Sequence, residues 1–334
     1  MKTKELRSSL LLFLTAFIWG VAFVAQSVGM DYVGPMTLNG SRFLLGGTVL
    51  LPFLLYRRKR AGKKGDSQQK IKVLPGGVDS GKEANEEAEQ TQQDEAGRRK
   101  KTTLIGGLCC GLALCIASSL QQYGIQYTTV GKAGFITALY IVIIPVLGIF
   151  LGKKAGPLVW AGAILATLGF YLLCITESVQ INRGDILVFL CAVCFSFHIL
   201  IIDHFAPRVD GVELSCIQFY VSGILCTTVA IFLEKPTWAG LAAGAVPILY
   251  AGILSCGVAY TLQIIGQARV KPTVASMVLS LESVISVLAG WVILGETLTS
   301  RQLGGCVLVF GAVILAQLPW PLRLKANKGR KKVS

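Results

Sequence analysis

The sequence predicts an all-α polytopic membrane protein with ten transmembrane helices in two inverted five-helix repeats. Three observations predict it. The 334 residues are 53% hydrophobic and only 15% charged, against about 25% charged in soluble domains, and the mean hydropathy is +0.63. The charges are clumped, leaving nearly charge-free stretches of the roughly 20 residues needed to cross a hydrocarbon core about 30 Å thick. The second half also repeats features of the first.

The stretches follow in order. Span one, 8–29, lacks a short apolar core followed by a small-residue cleavage site, so it reads as a retained helix and not a signal peptide. Span two, 36–56, stops at the block Arg57–Arg60. Span three, 103–125, follows Arg98–Lys101. Span four, 129–150, begins beside Lys132 and contains Pro145; span five, 156–176, follows Lys153 and Lys154. Span six, 184–203, follows Arg183, and span seven, 212–233, lies between Arg208 and Lys235. Span eight, 244–266, has Pro247 near its start; span nine, 272–294, begins at Pro272; span ten is 300–318. The first repeat is therefore 8–176, with a polar insert at 57–101, the second is 184–318, and 319–334 is a basic tail.

A net charge of +14 invites a nucleic-acid reading, but the distribution excludes it. With the N-terminus inside, the cytoplasmic segments hold Lys2, Lys4, Arg7, the blocks at 57–60 and 98–101, Lys153, Lys154, Arg208, Arg269, Lys271 and the tail. The outer segments hold only Lys132, Arg183, Lys235 and Arg301. This is the positive-inside asymmetry. It predicts a multi-pass protein of the cytoplasmic membrane with both termini cytoplasmic. All ten cysteines fall in or beside spans and read as small buried hydrophobes. Cys191, Cys194, His198 and Asp203 make a poor zinc cage, so no metal and no cofactor is expected.

The repeat is the most informative feature. "LNGSRFLLGG" (38–47) lies over "LSCIQFYVSG" (214–223) at an offset of 176, which also places Trp19 over Phe195. "SLQQYGIQ" (119–126) lies over "TLQIIGQA" (261–268) at an offset of 142, and the difference is absorbed by the insert. Five spans per half is an odd number, so the halves enter the membrane with opposite topology. Inverted repeats are the signature of alternating-access transporters with a midplane site.

At these residues the chain resembles a known family. "LTAFIWGVAFVAQ", "SRFLLGG", "QYTTVGKAGFITALYIVIIPVLG" and "PTVASMVLSLESVISVLAGWVILGETLT" resemble the EamA-type transporters of the drug/metabolite transporter superfamily. The resemblance covers nearly everything outside 57–101. It implies ten helices around a central cavity, with spans five and ten peripheral, and movement of small metabolites, often export. The family commonly has Glu-Pro where this chain has Glu282–Ser283, so no proline is present there to bend the helix.

Ionisable groups inside membrane helices cost about 2.5–3.5 kcal/mol on insertion scales, so each one needs a cavity or a partner. Glu282 lies about 12 residues, roughly 18 Å, from the outer end of span nine. It suits a proton-coupling site, a ligand for a cationic substrate, or a structural hydrogen bond. Tyr140 takes the pseudo-symmetric position in span four. Arg42 and Asn39 share a helix face with Gln121 at similar outer depth, while Gln218 and Gln263 lie toward the inner end; the two polar clusters read as alternate gates or as ordinary snorkelling ends. A direct Arg42–Glu282 ion pair is not expected, because the depth gap is about 9 Å. Trp19 at mid-depth reads as an aromatic wall or as core, and His198 and Tyr260 as further lining. Gly20, Gly131, Gly134, Gly162, Gly169, Gly304 and Gly311 read as close helix contacts.

The insert is polar and is expected to be disordered. Its "GGVDSGKE" has Glu83 after the lysine, where a phosphate loop needs Ser or Thr, so it is not a nucleotide site. The leading function is a secondary transporter, exporter or facilitator, of a small organic metabolite, with the bilayer as its surroundings and proton coupling as one option. The alternatives are a membrane-embedded enzyme, a lipid-handling protein or a non-transporting sensor. No H-E-x-x-H or G-x-S-x-G is present to support an enzyme. Deleting residues 61–96 should leave transport intact, as measured by flux in proteoliposomes; loss of flux would make the insert a functional arm.

Overall fold

A computed structural model describes residues 3–72, 80–128, 130–152, 155–174, 182–295 and 299–317. Among them there are helices and turns but no strand. Helix α1 is Thr3–Gly29, α2 Pro35–Lys72, α3 Ser80–Ile125, α4 Val130–Ala138, α5 Tyr140–Phe150, α6 Pro157–Cys174, α7 Arg183–Phe205 and α8 Gly211–Leu233. There follow α9 Trp238–Ala243, α10 Ala245–Leu249, a π-helical segment Tyr250–Tyr260, α11 Thr261–Gln267, α12 Pro272–Leu279, α13 Leu281–Leu294 and α14 Ser300–Gln317. Eight described helical runs are long and apolar enough to cross a membrane, and Pro157–Gly169 and Leu303–Leu315 are shorter apolar stretches. The protein is an all-α multi-pass membrane protein. Large apolar side chains on its outer face, such as Phe150, Phe232 and Val307, are exposed, as expected where lipid tails are the solvent.

The insert departs from expectation. Helical backbone continues through α2 to Lys72 and resumes at Ser80, while residues 73–79 and the tail 319–334 lie outside the described residues. The flanks are rich in Ala, Lys, Arg, Gln and Glu, strong helix formers. Composition ruled out a packed core there; it did not rule out local helix.

Packing follows the repeat. α1 packs on α13 and on the π-helical segment with α11; in the other half α7 packs on α3 and on α4 and α5. α2 packs along α8, α2 on the π-helical segment and α8 on α3. α6 and α14 pack mainly on each other. Gly169 makes the close contact expected of it, since a Cβ there would sit 2.8 Å from the Gly305 carbonyl. Gly304 and Gly311 do not: both face open space. The crossing of α6 and α14 brings only one side of α14 against its partner, and these two glycines lie off it.

Spans four and nine are each interrupted by a one-residue turn, at Leu139 between α4 and α5 and at Ser280 between α12 and α13, within one residue of the repeat offset. Span nine breaks without a proline. Serine side chains take backbone carbonyls instead: Ser280 Oγ donates to Met277 O at 2.8 Å, Ser286 Oγ to Ser283 O at 2.8 Å, and Ser283 Oγ to Gly134 O on α4 at 2.7 Å. Serine bonded to its own backbone competes with the helical ladder. Pro145 lies inside α5, where it leaves the Ile141 carbonyl without its usual donor.

The antiparallel pair α2 and α8 is latched at both ends. At one end Glu234, just past α8, accepts from the backbone N–H groups of Met36 and Thr37 at 2.8 Å each and from Thr37 Oγ1 at 2.7 Å. It caps α2 from another helix and places negative charge where the dipole favours it. A Cβ at position 34 would lie 2.3 Å from Glu234 Oε2, so a side chain there displaces the carboxylate from its cap. At the opposite end Arg57 pairs with Asp210 at 2.9 Å, with side chains 49% and 20% exposed, and Asp210 caps α8 through the Val212 and Glu213 N–H groups. Charged-acceptor hydrogen bonds contribute about 1.5–3 kcal/mol each and exposed ion pairs about 0–1 kcal/mol. Glu234→Ala should therefore cost about 1–3 kcal/mol and lower the melting temperature of the purified protein. Arg57→Ala should leave it nearly unchanged, so equal losses would show that the two latches are equivalent.

Candidate functional site

A cavity of about 40 Å³ lies at the centre of the helices. α1 supplies Trp19, Phe23 and Gln26; α2 supplies Arg42 and α3 Gln121; α4 and α5 supply Thr137 and Tyr140. From the other half come Phe195, His198 and Ile199 on α7, Ser255 and Tyr260 on the π-helical segment, Gln263 on α11, Leu279 on α12 and Glu282 on α13. Of the residues singled out from sequence, Trp19, Arg42, Gln121, Tyr140, His198, Tyr260, Gln263 and Glu282 are brought together. Gln218 stands behind the wall, with Oε1 3.1 Å from His198 Nε2. Asn39 does not line the cavity; it is fully buried one turn from Arg42, with neither side-chain polar atom bonded.

The two polar clusters expected toward opposite ends meet here. Arg42 and Gln121 share the cavity with Gln263, because helices converging on one centre bring residues of different depth to a common wall. Five pairs of lining residues are spaced by the repeat offsets: Trp19 with Phe195 and Phe23 with Ile199 at 176, and Gln121 with Gln263, Thr137 with Leu279 and Tyr140 with Glu282 at 142. Running those offsets along every span would have revealed Phe23, Ile199, Thr137 and Leu279, which the sequence reading missed. Gln26 and Ser255 have no such signal.

Hydrogen bonds fix the wall. Tyr140 Oη donates to Glu282 Oε1 at 3.0 Å, joining the starts of the two second half-helices, α5 and α13. Arg42 Nη1 donates to Gln26 Oε1, and its guanidinium lies 4.9 Å over the Phe43 ring. Gln121 Nε2 donates to Thr137 Oγ1 at 3.2 Å and Gln122 Nε2 to the Gln26 carbonyl at 3.3 Å. Trp19 Nε1 donates to the Ser255 carbonyl at 3.2 Å, and Thr15 Oγ1 to the Ala259 carbonyl at 3.1 Å. Both carbonyls belong to the π-helical segment, a conformation found often at functional sites. The Trp19 and Tyr260 rings stand 4.5 Å apart at 59°, and His198 meets Tyr260 edge-on at 6.1 Å.

Three buried polar atoms of the lining residues have no protein partner: Arg42 Nε, His198 Nδ1 and Gln263 Oε1. With Gln218 Oε1 accepting, the His198 ring carries its proton on Nε2 and leaves Nδ1 as an acceptor. Buried polar atoms are almost always satisfied, so these three mark the polar side of the cavity wall. Arg42 and Glu282 line this one cavity without forming an ion pair.

Comparison with known proteins agrees with this architecture. The model of the EamA-like transporter family matches residues 6–78, 89–175 and 182–318. An uncharacterized transporter of Archaeoglobus fulgidus is 28% identical over 320 residues, covering 94% of this chain and 87% of the relative. The uncharacterized transporter YoaV of Bacillus subtilis is 21% identical over 298 residues, covering 87% of this chain and 90% of the relative. A solved crystal structure superposes with a TM-score of 0.68 at 18% identity, over 93% of this chain and 96% of that one.

Gly20 decides how closely α1 approaches Glu282. A Cβ at Gly20 would lie 2.5 Å from Ile285 Cβ and 2.7 Å from the Glu282 carbonyl. Gly20→Ala should push α1 from α13 and cost about 1–3 kcal/mol as overpacking, seen as a lower melting temperature and reduced flux. Unchanged values for both would show that the α1–α13 contact adapts freely.

Proposed function

The chain belongs to the EamA-like transporter family, and on that premise we propose that it is a secondary transporter of a small organic metabolite. It works in the cytoplasmic membrane by alternating access, as an exporter or facilitator. The observation that carries this reading is the central cavity, walled by residue pairs at the repeat offsets and holding unsatisfied polar atoms.

Ten spans result when the shorter apolar stretches of α6 and α14 are added to the eight longer runs. The five lining pairs and the interruptions at Leu139 and Ser280 support two inverted halves. Discontinuous helices at the midplane are the usual way such repeats build a site. A separate cleft of about 520 Å³, with Pro145, Leu200, Gln267 and Arg269 in its wall, opens where α5, α7 and the α11–α12 turn meet. By the charge asymmetry this is the cytoplasmic end, and both termini lie there. A cleft at one end of the helices that wall the cavity supports a state with access from that side.

The driving force is the substrate's own gradient or protons exchanged at Glu282, which shares its hydrogen bond with Tyr140 across the two halves. The test has two parts. Comparing all metabolites inside and outside cells, with and without the protein, should reveal a cargo whose distribution shifts several-fold; identical profiles would contradict transport. In proteoliposomes, Glu282→Gln should abolish uptake driven by a pH gradient, and undiminished uptake would remove Glu282 from coupling.

A further inference from the structure

We propose that Cys115 and Cys226 are a redox-active thiol pair. A small uncharged oxidant, hydrogen peroxide, joins them in a disulfide that fastens α3 of the first half to α8 of the second and slows transport. The bond follows from the thiol geometry alone; its effect on flux rests on the transporter reading.

α3 and α8 meet along one stripe. A Cβ at Gly107 would lie 2.6 Å from Ile217 Cβ, and one at Gly111 would lie 2.7 Å from Val221 Cβ. Small residues let two membrane helices approach this closely. Ser222 Oγ donates to the Gly111 carbonyl at 2.8 Å and pins the crossing. Cys115 follows one turn further along the same face of α3. Its Sγ lies 3.6 Å from Cys226 Sγ, between residues 111 apart in sequence. The Ser119 hydroxyl, one more turn along, is 3.9 Å from the Cys226 sulfur. A disulfide holds its sulfurs about 2.05 Å apart, so each needs to move by less than about 1 Å. The backbones are already in contact, and side-chain rotation supplies that movement.

The two sulfurs differ in access. Cys226 is fully buried, while Cys115 is partly exposed. They lie about 15 Å and about 10 Å along their helices from the ends at Ile125 and Leu233, Cys115 being the deeper. A charged oxidant is excluded at that depth, and a neutral peroxide is not. Cys115 Sγ, as thiolate, attacks one peroxide oxygen; the O–O bond breaks, and the departing hydroxide takes up the thiol proton as water. Cys115 is then a sulfenic acid, which condenses with a thiol. Cys226 Sγ attacks the Cys115 sulfur, the S–O bond breaks, and the hydroxyl leaves with the Cys226 proton as a second water. The two thiols give up two electrons, and the peroxide is reduced to two waters.

By the charge asymmetry both thiols lie outward of the bond between Gly111 and Ser222. Exposing the cavity to the outer side requires the outer ends of helices from opposite halves to part. A covalent bond between α3 and α8 at this place opposes that movement and holds the state whose cleft is at the cytoplasmic end.

The full-length protein is reconstituted, treated with hydrogen peroxide, blocked with N-ethylmaleimide and digested. The expected product is one peptide pair joined through Cys115 and Cys226 and released by dithiothreitol. The melting temperature should rise on oxidation, because a cross-link between distant residues restrains the unfolded chain. Flux of the cargo found by the metabolite comparison should fall several-fold on oxidation and return on reduction. In Cys226→Ser the chemistry should stop at a sulfenic acid on Cys115, trapped by dimedone, with flux retained under peroxide. In Cys115→Ser neither the peptide pair nor the loss of flux should appear, and a melting curve of each variant checks its fold. Thiols left free by peroxide, or either one paired with another cysteine, overturn the proposal. A joined pair with undiminished flux overturns the brake on transport. If the metabolite comparison finds no cargo, the transporter reading fails, and the peptide pair still decides whether the bond forms.

Discussion

A carboxylate held among apolar helices must meet a donor or be lost to the fold, and Glu282 meets the hydroxyl of Tyr140. Much of the centre follows from satisfying that bond. The two residues lie at the same position of the two repeats, so joining them ties one half to the other. Tyr140 begins α5 and Glu282 lies in the first turn of α13, each just after a break in its span. Gly20 removes the side chain that would otherwise hold α1 away, and Trp19 beside it reaches the π-helical carbonyls. Hydrophobic burial holds the surrounding helices, but the position of the centre is set by polar contacts that the apolar packing could not choose.

The spans were legible because bilayer thickness imposes a length and charge is excluded within it. Most boundaries agree within a few residues: the expected 212–233 is Gly211–Leu233, and 272–294 ends in helix at Leu294. Much of the cavity was legible too, since charge and aromaticity at mid-span are costly and therefore conspicuous. Ser255 was not, because it contributes a carbonyl, and every residue carries one. Gln26 was missed since a glutamine near a helix end has ordinary explanations. Depth along a straight helix placed Arg42 apart from Gln263, yet both line the one cavity, and Arg42 forms no ion pair with Glu282, as its depth had suggested. The break at Ser280 was missed because proline was taken as the signal, whereas serines that bond their own backbone achieve the same result.

The residues paired by the sequence offsets differ in kind at the cavity. Arg42 and Gln218 are mates, and each bonds the first helix of its own half, Arg42 to Gln26 on α1 and Gln218 to His198 on α7. One half thus offers a fixed positive charge and the other a neutral amide and imidazole. Tyr140 and Glu282 differ in the same way. These differences make the cavity polar in a definite direction.

The two latches on α2 and α8 also differ in kind. Three hydrogen bonds to a partly buried carboxylate hold the Glu234 end, while a half-exposed pair joins Arg57 to Asp210. The second weakens as salt screens it, and the first largely does not. A frame fastened this unevenly is like a door hung on one stiff and one loose hinge: thermal motion spends itself at the loose side. The two ends of the α2–α8 pair therefore answer differently to the same solution: added salt reaches the Arg57 end and largely spares the Glu234 end.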